Sequence, residues 1–181
     1  MASVAGLVLA AGEGRRFGGP KAPAVIDGER LVDRAVRVLR GGGCDPVYVV
    51  LGAWVGEVPD AVMVTNPDWA DGMGSSLRVG LGSVEDAAAE AVVVTLVDLP
   101  GLTPAAVRRL VDAESDLAAA TYGGERGHPV RFGRRHWLEV ASSARGDAGA
   151  RTYLAQHAAD VELIEVGDVA DGTDLDELPS V

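Results

Sequence analysis

A glycine-rich segment near the start of the chain carries the residues best suited to bind a polyphosphate. It runs from Leu9 to Lys21 and contains four glycines and three cationic side chains. Lys21 is the only lysine among 181 residues, against fifteen arginines. Clustered glycines let backbone N–H groups approach an anion closely, and a lysine ammonium adds a compact charge suited to phosphate. The segment therefore predicts a polyphosphate-binding loop.

Two common phosphate-loop patterns fit this segment poorly. A Walker loop places a serine or threonine directly after its lysine, whereas Lys21 is followed by an alanine. A dinucleotide-binding loop needs Gly-x-Gly-x-x-Gly; Gly12 and Gly14 fit, but the next glycine, Gly18, comes one residue late. The acidic residue expected about 20 positions later would be Asp33, which falls in a predicted helix. Gly12 and Gly14 directly after a strand still suggest a nicotinamide-dependent oxidoreductase as an alternative class, although both the third glycine and the acidic residue depart from its pattern.

A lone carboxylate follows the most apolar stretch of the sequence. Ala91 to Val97 reads as a central strand and ends at Asp98. Ligands of open α/β sheets bind beyond the carboxyl ends of the strands, so we expect Asp98 to lie on the same rim as the loop. Mg²⁺ takes few protein ligands and keeps phosphate and water oxygens. The alternative, that Asp98 caps the next helix, is weaker because Thr103 and Pro104 form a better helix start.

Two further segments contain polar residues in turn-forming surroundings. Asn66 to Leu77 leads into a helix near Met73, where Ser75 and Ser76 could cap the helix and its N–H groups could hold an anion. Trp69, in the same loop, is harder to explain by a structural role alone, although covering the core is an alternative.

His128 is held between a glycine and a proline, and we expect it at a strand edge. A structural role and a ligand-contacting role both remain open for it.

The ordered pattern of the loop resembles the signature Leu-Ala-Ala-Gly-x-Gly/Ser-x-Arg-Met/Phe-Gly-x-x-Lys of nucleotidyltransferases of the glycosyltransferase-A type. Later segments resemble the branch of molybdenum-cofactor cytidylyltransferase-like proteins, within the molybdopterin-guanine-dinucleotide synthase-like group. These segments are Asn66 to Leu77, Val97 to Pro100, Gly127 to Val130 and Gly146 to Arg151. The resemblance covers Leu9 to Arg151 in order.

This resemblance implies a three-layer α/β/α sandwich with a mixed, mostly parallel, Rossmann-like sheet of about seven strands. It implies Mg²⁺-dependent transfer of a nucleotidyl group from a nucleoside triphosphate to a phosphorylated acceptor, such as molybdopterin, with release of pyrophosphate. By position, the nucleotide-binding residues would be Leu9, Ala10, Ala11, Gly12, Gly14, Arg16, Lys21 and Asn66. The catalytic residues would be Lys21, Arg16 and Asp98, the acceptor-binding residues Ser75, Ser76 and His128, and the metal ligands Asp98 and Asp171.

The family's tail usually places an acid directly before a threonine, but here Gly172 separates Asp171 from Thr173. The second metal ligand therefore departs from the family pattern.

The identity of residue 11, an alanine, is relevant to which nucleoside triphosphate the protein prefers. In the family this position tends to be alanine in cytidylyl enzymes and glycine in guanylyl enzymes. A methyl group beside the base leaves less room for a two-ring purine, so the sequence favours CTP over GTP.

Length, net charge and cysteine content limit the number of domains, the partners and the location of the protein. A length of 181 residues predicts one domain, 1–181. The net charge of −11 argues against nucleic acid as a partner, although residues 1–40 carry seven cations and four acids. A single cysteine, no evident signal peptide and no long apolar run favour a cytoplasmic protein that spans no membrane. A sugar phosphate remains an alternative acceptor, and a non-catalytic cofactor chaperone remains an alternative function. A molybdoenzyme that receives the cofactor is an expected partner.

Alternating strand and helix patterns position these residues and predict an α/β fold with a largely parallel sheet. The predicted strands are Val4 to Leu9, Pro46 to Leu51, Ala61 to Thr65, Ala91 to Val97, Leu117 to Tyr122 and Val161 to Val166. The predicted helices are Leu31 to Arg40, one near Met73, one from Thr103, Arg134 to Ser143, and a final long helix opened by Gly146 to Arg151.

Overall fold

The computed structural model describes residues 3–177, which are built around one sheet of seven strands. The strands are β1 (Val4–Ala10), β2 (Val25–Ile26), β3 (Glu29–Arg30), β4 (Val47–Leu51), β5 (Val62–Thr65), β6 (Ala91–Leu96), β7 (Leu117–Tyr122), β8 (Glu125–Gly133) and β9 (Glu162–Glu165). The α-helices are α1 (Leu31–Gly41), α2 (Met73–Val84), α3 (Pro104–Val111), α4 (Trp137–Ser143) and α5 (Arg151–Gln156). Short 3₁₀ turns at Trp69–Asp71, Arg134–His136 and Gly146–Ala148 come before α2, α4 and α5.

The large sheet is mixed, as the resemblance implied. Its strand order is β5-β4-β1-β6-β8-β7-β9, while β2 and β3 form a separate hairpin. β8 pairs antiparallel with β6 and β7, and every other neighbouring pair is parallel. The carboxyl ends of the six parallel strands therefore share one edge of the sheet, which is where ligands bind in open α/β sheets.

Helices cover both faces of the sheet and give the expected three layers. Side chains of α1 and α3 pack on one face, and side chains of α2, α4 and α5 pack on the other. All seven residues of β1 are buried, because Val8 faces the first layer and Leu7 faces the second. Burial on both faces explains why the central strands are continuously apolar rather than alternating.

Most predicted elements are present with bounds shifted by one or two residues. The helix from Leu31 is α1, and Thr103 caps α3 by accepting a hydrogen bond from the Ala106 N–H at 3.3 Å, with Pro104 at the first helical position. No helix within residues 3–177 is long and apolar enough to cross a membrane.

Two expectations about the second half of the chain are wrong. The final helix is short: a 3₁₀ turn at Gly146–Ala148 precedes the six residues of α5, because Gly149 between them adopts a φ of 53° that interrupts a helix.

His128 does not lie on an edge strand, since β8 is flanked by β6 and β7. The adjacent Pro129 is tolerated because the ladder with β6 ends at Val130 and the register with β7 shifts between Ala119 and Thr121.

Candidate functional site

The glycine-rich segment forms a tight turn directly after β1. The carbonyl oxygen of Gly14 accepts hydrogen bonds from the N–H groups of Gly18 and Gly19, at 2.9 and 3.1 Å. Gly14 has a φ of 61°, and a Cβ atom there would lie 1.9 Å from the Gly19 carbonyl oxygen. Only glycine fits this position. The turn reverses the chain and brings Lys21 back toward the end of the sheet.

Lys21 contacts Asp98 from a neighbouring strand end. Its Nζ atom lies 2.8 Å from Asp98 Oδ2, and the two side chains are 16% and 18% exposed. The Val97 N–H donates to the Leu9 carbonyl at 3.2 Å, so the chain ends of β1 and β6 stay side by side. The expected meeting of the loop and Asp98 on one rim is therefore present. The pair places a cation and a carboxylate where a phosphate and a metal ion could be held together.

The second oxygen of Asp98 makes Asp98 suited to bind a metal ion. Oδ1 is buried and has no hydrogen-bond partner among the described residues. No group of three or more acidic, histidine or cysteine side chains in residues 3–177 is arranged to hold a metal by itself. A site with few protein ligands is what Mg²⁺ uses, because substrate oxygens and water supply the rest. The residues present therefore fit a divalent cation that binds together with phosphate.

The C-terminal part of the described chain passes next to Asp98. The Leu175 N–H donates to the Asp98 carbonyl at 2.9 Å. The Oδ1 atom of Asp171 accepts hydrogen bonds from the N–H and hydroxyl of Thr173, which lower the pKa of Asp171. Asp176 lies nearer to the cation, with its Oδ1 atom 3.9 Å from Lys21 Nζ. Sequence reasoning passed over Asp176, because nothing in an acidic tail distinguishes the aspartate that reaches the site.

A cavity of about 570 Å³, called cavity 1 below, opens above these residues. Its lining includes Leu9, Ala10, Ala11, Gly12, Glu13, Gly14, Arg15, Lys21, Trp69, Ala70, Gly72, Met73, Ser76, Leu96, Val97, Asp98 and Asp147. Eight of the predicted site residues are among them: five of the loop before Lys21, together with Lys21, Ser76 and Asp98. Such a volume is typical of a small-molecule site.

Arg16 is placed differently from the prediction. Its side chain is exposed and does not line cavity 1, whereas Arg15 does and pairs with Glu13. The resemblance assigned Arg16 to the phosphates, whereas Arg15 is the arginine that lines cavity 1 in this conformation.

Asn66 and Ser75 are buried beneath the site instead of lining it. Asn66 is 0% exposed, and its Nδ2 atom donates to the hydroxyls of Ser75 and Ser76 at 2.9 and 3.0 Å. Its Oδ1 atom accepts from the Asp68 N–H at 3.0 Å. Helix capping by the serines is wrong, because Gly72 precedes α2 and no side chain caps the helix. Nucleotide binding by Asn66 stays a prediction, although its side-chain amide is bonded within the protein. The network fixes the loop before α2.

His128 belongs to a second cavity of about 330 Å³, called cavity 2 below. Its lining residues are Leu9, Met73, Leu77, Val94, Leu96, Arg126, Gly127, His128, Val130, Phe132, Asp147, Ala148, Gly149, Ala150, Arg151 and Leu154. Burial lowers the pKa of His128 to about 4; Asp98 acts to raise the pKa and Arg151 to lower it. His128 is therefore neutral near pH 7, despite facing charges from both cavities.

The two cavities adjoin. Four residues line both of them, namely Leu9, Met73, Leu96 and Asp147. The turn containing Asp147 is pressed against the start of α2, since a Cβ atom on Gly72 would lie 2.7 Å from Asp147 Oδ1. Ligands in the two cavities would consequently meet at this boundary. Trp69 and Asp147 were both quoted in the sequence motifs but were not assigned to the site.

The chain is similar to one protein family and to several proteins of known name. A family model described as the MobA-like NTP transferase domain matches residues 6–161. Nicotine blue oxidoreductase of Paenarthrobacter nicotinovorans is 38% identical over 192 aligned residues, which cover 96% of this chain and 92% of that protein. A probable molybdenum cofactor guanylyltransferase of Mycobacterium ulcerans is 31% identical over 175 aligned residues, covering 93% and 86% of the two chains.

Solved structures show the same architecture. A homologue of Mycobacterium tuberculosis Rv0371c from Mycobacterium sp. strain JC1 superposes with a TM-score of 0.82 at 31% identity, over 96% of this chain and 90% of that one. A structure of Rv0371c from Mycobacterium tuberculosis H37Rv in complex with manganese gives a TM-score of 0.73 at 27% identity, over 96% and 94%. The family match spans the glycine-rich loop, Asp98 and both cavities, and the chain therefore belongs to the family of MobA-like NTP transferase domains.

Proposed function

We propose that this protein transfers a nucleotidyl group from a nucleoside triphosphate bound in cavity 1 to a phosphorylated acceptor bound in cavity 2. The observation that carries the proposal is the contact between Lys21 and Asp98 at the end of a glycine-rich loop, together with the unpartnered Oδ1 atom of Asp98. A triphosphate needs concentrated positive charge, and a carboxylate among phosphates is useful mainly as a metal ligand.

Each side chain at the rim has a distinct role in this proposal. The backbone N–H groups of Gly12 and Gly14 and the ammonium of Lys21 hold the phosphates, with Arg15 or Arg16 closing over them. Asp98 Oδ1 would hold Mg²⁺, and Asp171 or Asp176 would supply the second carboxylate. When bound, the metal ion neutralises charge that develops on the pyrophosphate leaving group. The manganese complex of Rv0371c supports a divalent cation in this fold.

The reaction needs no general base from the protein. An oxygen of the acceptor phosphate attacks the α-phosphorus, and the bond from that phosphorus to the bridging oxygen of pyrophosphate breaks. A phosphate nucleophile is already ionised, so catalysis consists of positioning and charge neutralisation. His128, neutral beside Asp98 and Arg151, fits this requirement because it adds hydrogen bonding without holding a competing charge.

The base we propose is cytosine. Ala11 is buried at the wall of cavity 1, and a Cβ atom on Gly52 would lie 2.8 Å from the Ala11 Cβ atom. The wall is therefore closely packed on the side of Ala11 and has little room to yield to a purine. One relative is named a probable molybdenum cofactor guanylyltransferase, so direct comparison of CTP with GTP is required.

The acceptor we propose is molybdopterin or the molybdenum cofactor, with a sugar phosphate as the runner-up. The nucleotide-linked product would then pass to a molybdoenzyme in the cytoplasm. The relative named as a molybdenum cofactor guanylyltransferase supports this class of acceptor.

The test is pyrophosphate release from CTP with Mg²⁺ and molybdopterin. Turnover by the wild type and its loss in Asp98→Asn, with Asp168→Asn retaining wild-type turnover, is the expected result. Asp168 is a suitable control because it pairs with Arg109 on the surface and lines neither cavity. Full Mg²⁺-stimulated turnover by Asp98→Asn would refute its assignment.

A second candidate is a nicotinamide-dependent oxidoreductase, and a specific observation favours it. The relative named as nicotine blue oxidoreductase is 38% identical across nearly the whole chain. In this case Gly12 and Gly14 would hold the pyrophosphate of a dinucleotide, and cavity 2 would hold a reducible ring. Consumption of NADH or NADPH with nicotine blue, without pyrophosphate release from any nucleoside triphosphate, would establish this function in place of the first. CTP binding without turnover of either kind would indicate a cofactor chaperone.

A further inference from the structure

We propose that Arg34 is a positioning residue for the rim of the sheet. It lines neither cavity, but it contacts both the segment that follows Lys21 and the turn that follows Asp98, and so sets the separation of these two side chains. The inference rests on the proposed function only in naming Mg²⁺ and a triphosphate as the ligands that require this separation.

The guanidinium of Arg34 joins two parts of the chain that are distant in sequence. Its Nη1 atom donates a hydrogen bond to the Pro100 carbonyl at 3.0 Å, two residues after Asp98. Its Nε atom lies 3.4 Å from Glu29 Oε2 in an ion pair, and Glu29 belongs to the hairpin of β2 and β3 that follows Lys21. Only 21% of the Arg34 side chain is exposed, so both contacts are partly shielded from water. The rigid fork of donors on a guanidinium lets one side chain bind two partners at once.

The segment after Lys21 is attached to the first turn of α1. The Leu31 N–H donates to the Ala24 carbonyl at 2.9 Å, and the Val32 N–H donates to the Ala22 carbonyl at 3.2 Å. The first N–H groups of a helix have no partner within the helix, and here these two carbonyls supply the partners. The Ala24 N–H in turn donates to the Lys21 carbonyl at 3.0 Å. The backbone of Lys21 is thereby fixed relative to α1.

The turn after Asp98, residues 99–102, is held by α1 through Arg34. The Leu102 N–H closes this turn by donating to the Leu99 carbonyl at 3.2 Å, and both leucines are buried in the same core layer as the side chains of α1. Within residues 3–177, Arg34 is the one side chain that hydrogen-bonds to the backbone of the turn. The same helix therefore holds the segments on both sides of the rim.

This support matters most when ligands are bound. In the free protein the contact of Lys21 with Asp98 itself joins the two segments. A triphosphate and a metal ion would separate that pair, and the position of the Asp98 carboxylate would then depend on the contacts of the turn. A small displacement of a ligating group is enough to weaken a site. Loss of Arg34 should therefore reduce the effect of Mg²⁺ on nucleotide affinity rather than the affinity without the metal.

The first measurement is calorimetric titration of CTP, with and without Mg²⁺, into the wild type and three variants. Arg34→Gln should reduce the gain in CTP affinity caused by Mg²⁺ at least fivefold and change the affinity without Mg²⁺ less than twofold. Arg34→Lys should retain most of the gain, because its ammonium can still donate to the Pro100 carbonyl. Arg37→Gln is the matched control: Arg37 lies one turn further along α1 and binds the same Glu29, at 2.8 Å, without bonding to the turn.

The second measurement needs no nucleotide, because Lys21→Ala removes the ion pair that a ligand would separate. Hydrogen exchange, followed by mass spectrometry, is compared between Lys21→Ala/Arg34→Gln and Lys21→Ala/Arg37→Gln. The N–H groups of Leu102, Asp171 and Leu175 report on the turn, since they bond to carbonyls in it or directly before it at 2.9–3.2 Å. We expect them to exchange at least threefold faster in the double variant that lacks Arg34.

The outcomes separate this proposal from the proposed function. Wild-type Mg²⁺ dependence in Arg34→Gln, or equal losses in Arg34→Gln and Arg37→Gln, would overturn the positioning role. Equal hydrogen exchange in the two double variants would overturn it as well. Absence of CTP binding by the wild type would refute the proposed function, and hydrogen exchange alone would then decide whether Arg34 positions the turn.

Discussion

Lys21 and Asp98 determine what the rim of the sheet can do at the scale of single residues. Their charges neutralise each other at 2.8 Å, and both side chains are mostly shielded from water. On binding, a triphosphate would replace Asp98 as the partner of Lys21, and a metal ion would replace Lys21 as the partner of Asp98. The arrangement keeps both side chains in position before ligands bind.

Replacing Lys21 tests its role as a phosphate ligand. We expect Lys21→Ala to weaken CTP binding by roughly 1.5–3 kcal/mol, the scale of a hydrogen bond to a charged group. Arg37→Ala is the control, because Arg37 pairs with Glu29 away from both cavities. Calorimetry that gives Lys21→Ala the affinity of the wild type would exclude the role.

Replacing Ala11 tests the choice of base. Ala11→Gly removes the methyl group at the wall of cavity 1 and should relax the preference for CTP over GTP by about 1–3 kcal/mol, the contribution of one methyl in a pocket. Parallel titrations of both nucleotides into both proteins measure this. Tighter binding of GTP than CTP by the unmodified protein would contradict the assignment.

His128 should make the fold sensitive to mild acid. Its pKa is about 4 in the folded chain and about 6.5 in an unfolded one, so protons bind the unfolded state first as pH falls through 6.5. The contribution of the neutral ring to the free energy of unfolding is therefore complete above pH 6.5 and falls progressively down to pH 4. The loss between pH 7 and pH 5 is about 2 kcal/mol.

Urea unfolding of the wild type and of His128→Asn at these two pH values measures the effect. The loss should be about 2 kcal/mol smaller in His128→Asn. Equal losses in the two proteins would show that His128 does not titrate in this way.

At the scale of elements, the loop between β5 and α2 is held from beneath by Asn66. Its side chain joins the loop backbone at Asp68 to the first turn of α2 at Ser75 and Ser76. This network supports Trp69 and Ser76, which line cavity 1.

Asn66→Ala should therefore lower the free energy of unfolding by about 1–3 kcal/mol, because it leaves buried polar groups unpaired. Urea denaturation measures this change, and calorimetry measures CTP affinity alongside it. Unchanged stability with strongly weakened CTP binding would instead support the direct nucleotide contact expected from the sequence.

Helices and strands were predictable from the sequence where the pattern of apolar residues fits only one type of element. The apolar face of α1 and the double burial of β1 and β6 are visible in the sequence. The roles of Asn66 and Ser75 were not, because a polar side chain in a loop looks the same whether it faces a ligand or a buried partner. The position of His128 was missed for a similar reason: a proline indicates an edge strand or an irregular register, and only the neighbouring strands decide between them.

At the scale of the whole molecule, three distant parts of the chain meet at one place. Lys21 ends the glycine-rich segment that follows the first strand, Asp98 lies just beyond the fourth strand of the large sheet in chain order, and Asp176 lies in the C-terminal tail. The sequence indicated the first two through the strand-end rule, but the path of the tail depends on contacts with Gly101 and Asp98 that no local pattern reveals. Of the seven cations in residues 1–40, three belong to the glycine-rich segment, and the other four pair with acids on or near α1.

The central claim is that cavity 1 binds a nucleoside triphosphate through Lys21 and a divalent metal ion held by Asp98. The most direct measurement is calorimetric titration of the wild type and Asp98→Asn with CTP, with and without Mg²⁺, and with NADH in parallel. The account predicts that Mg²⁺ raises CTP affinity at least tenfold in the wild type and not in Asp98→Asn, and that NADH binds more weakly than CTP. Tight NADH binding without CTP binding, or an equal Mg²⁺ effect in both proteins, would contradict it.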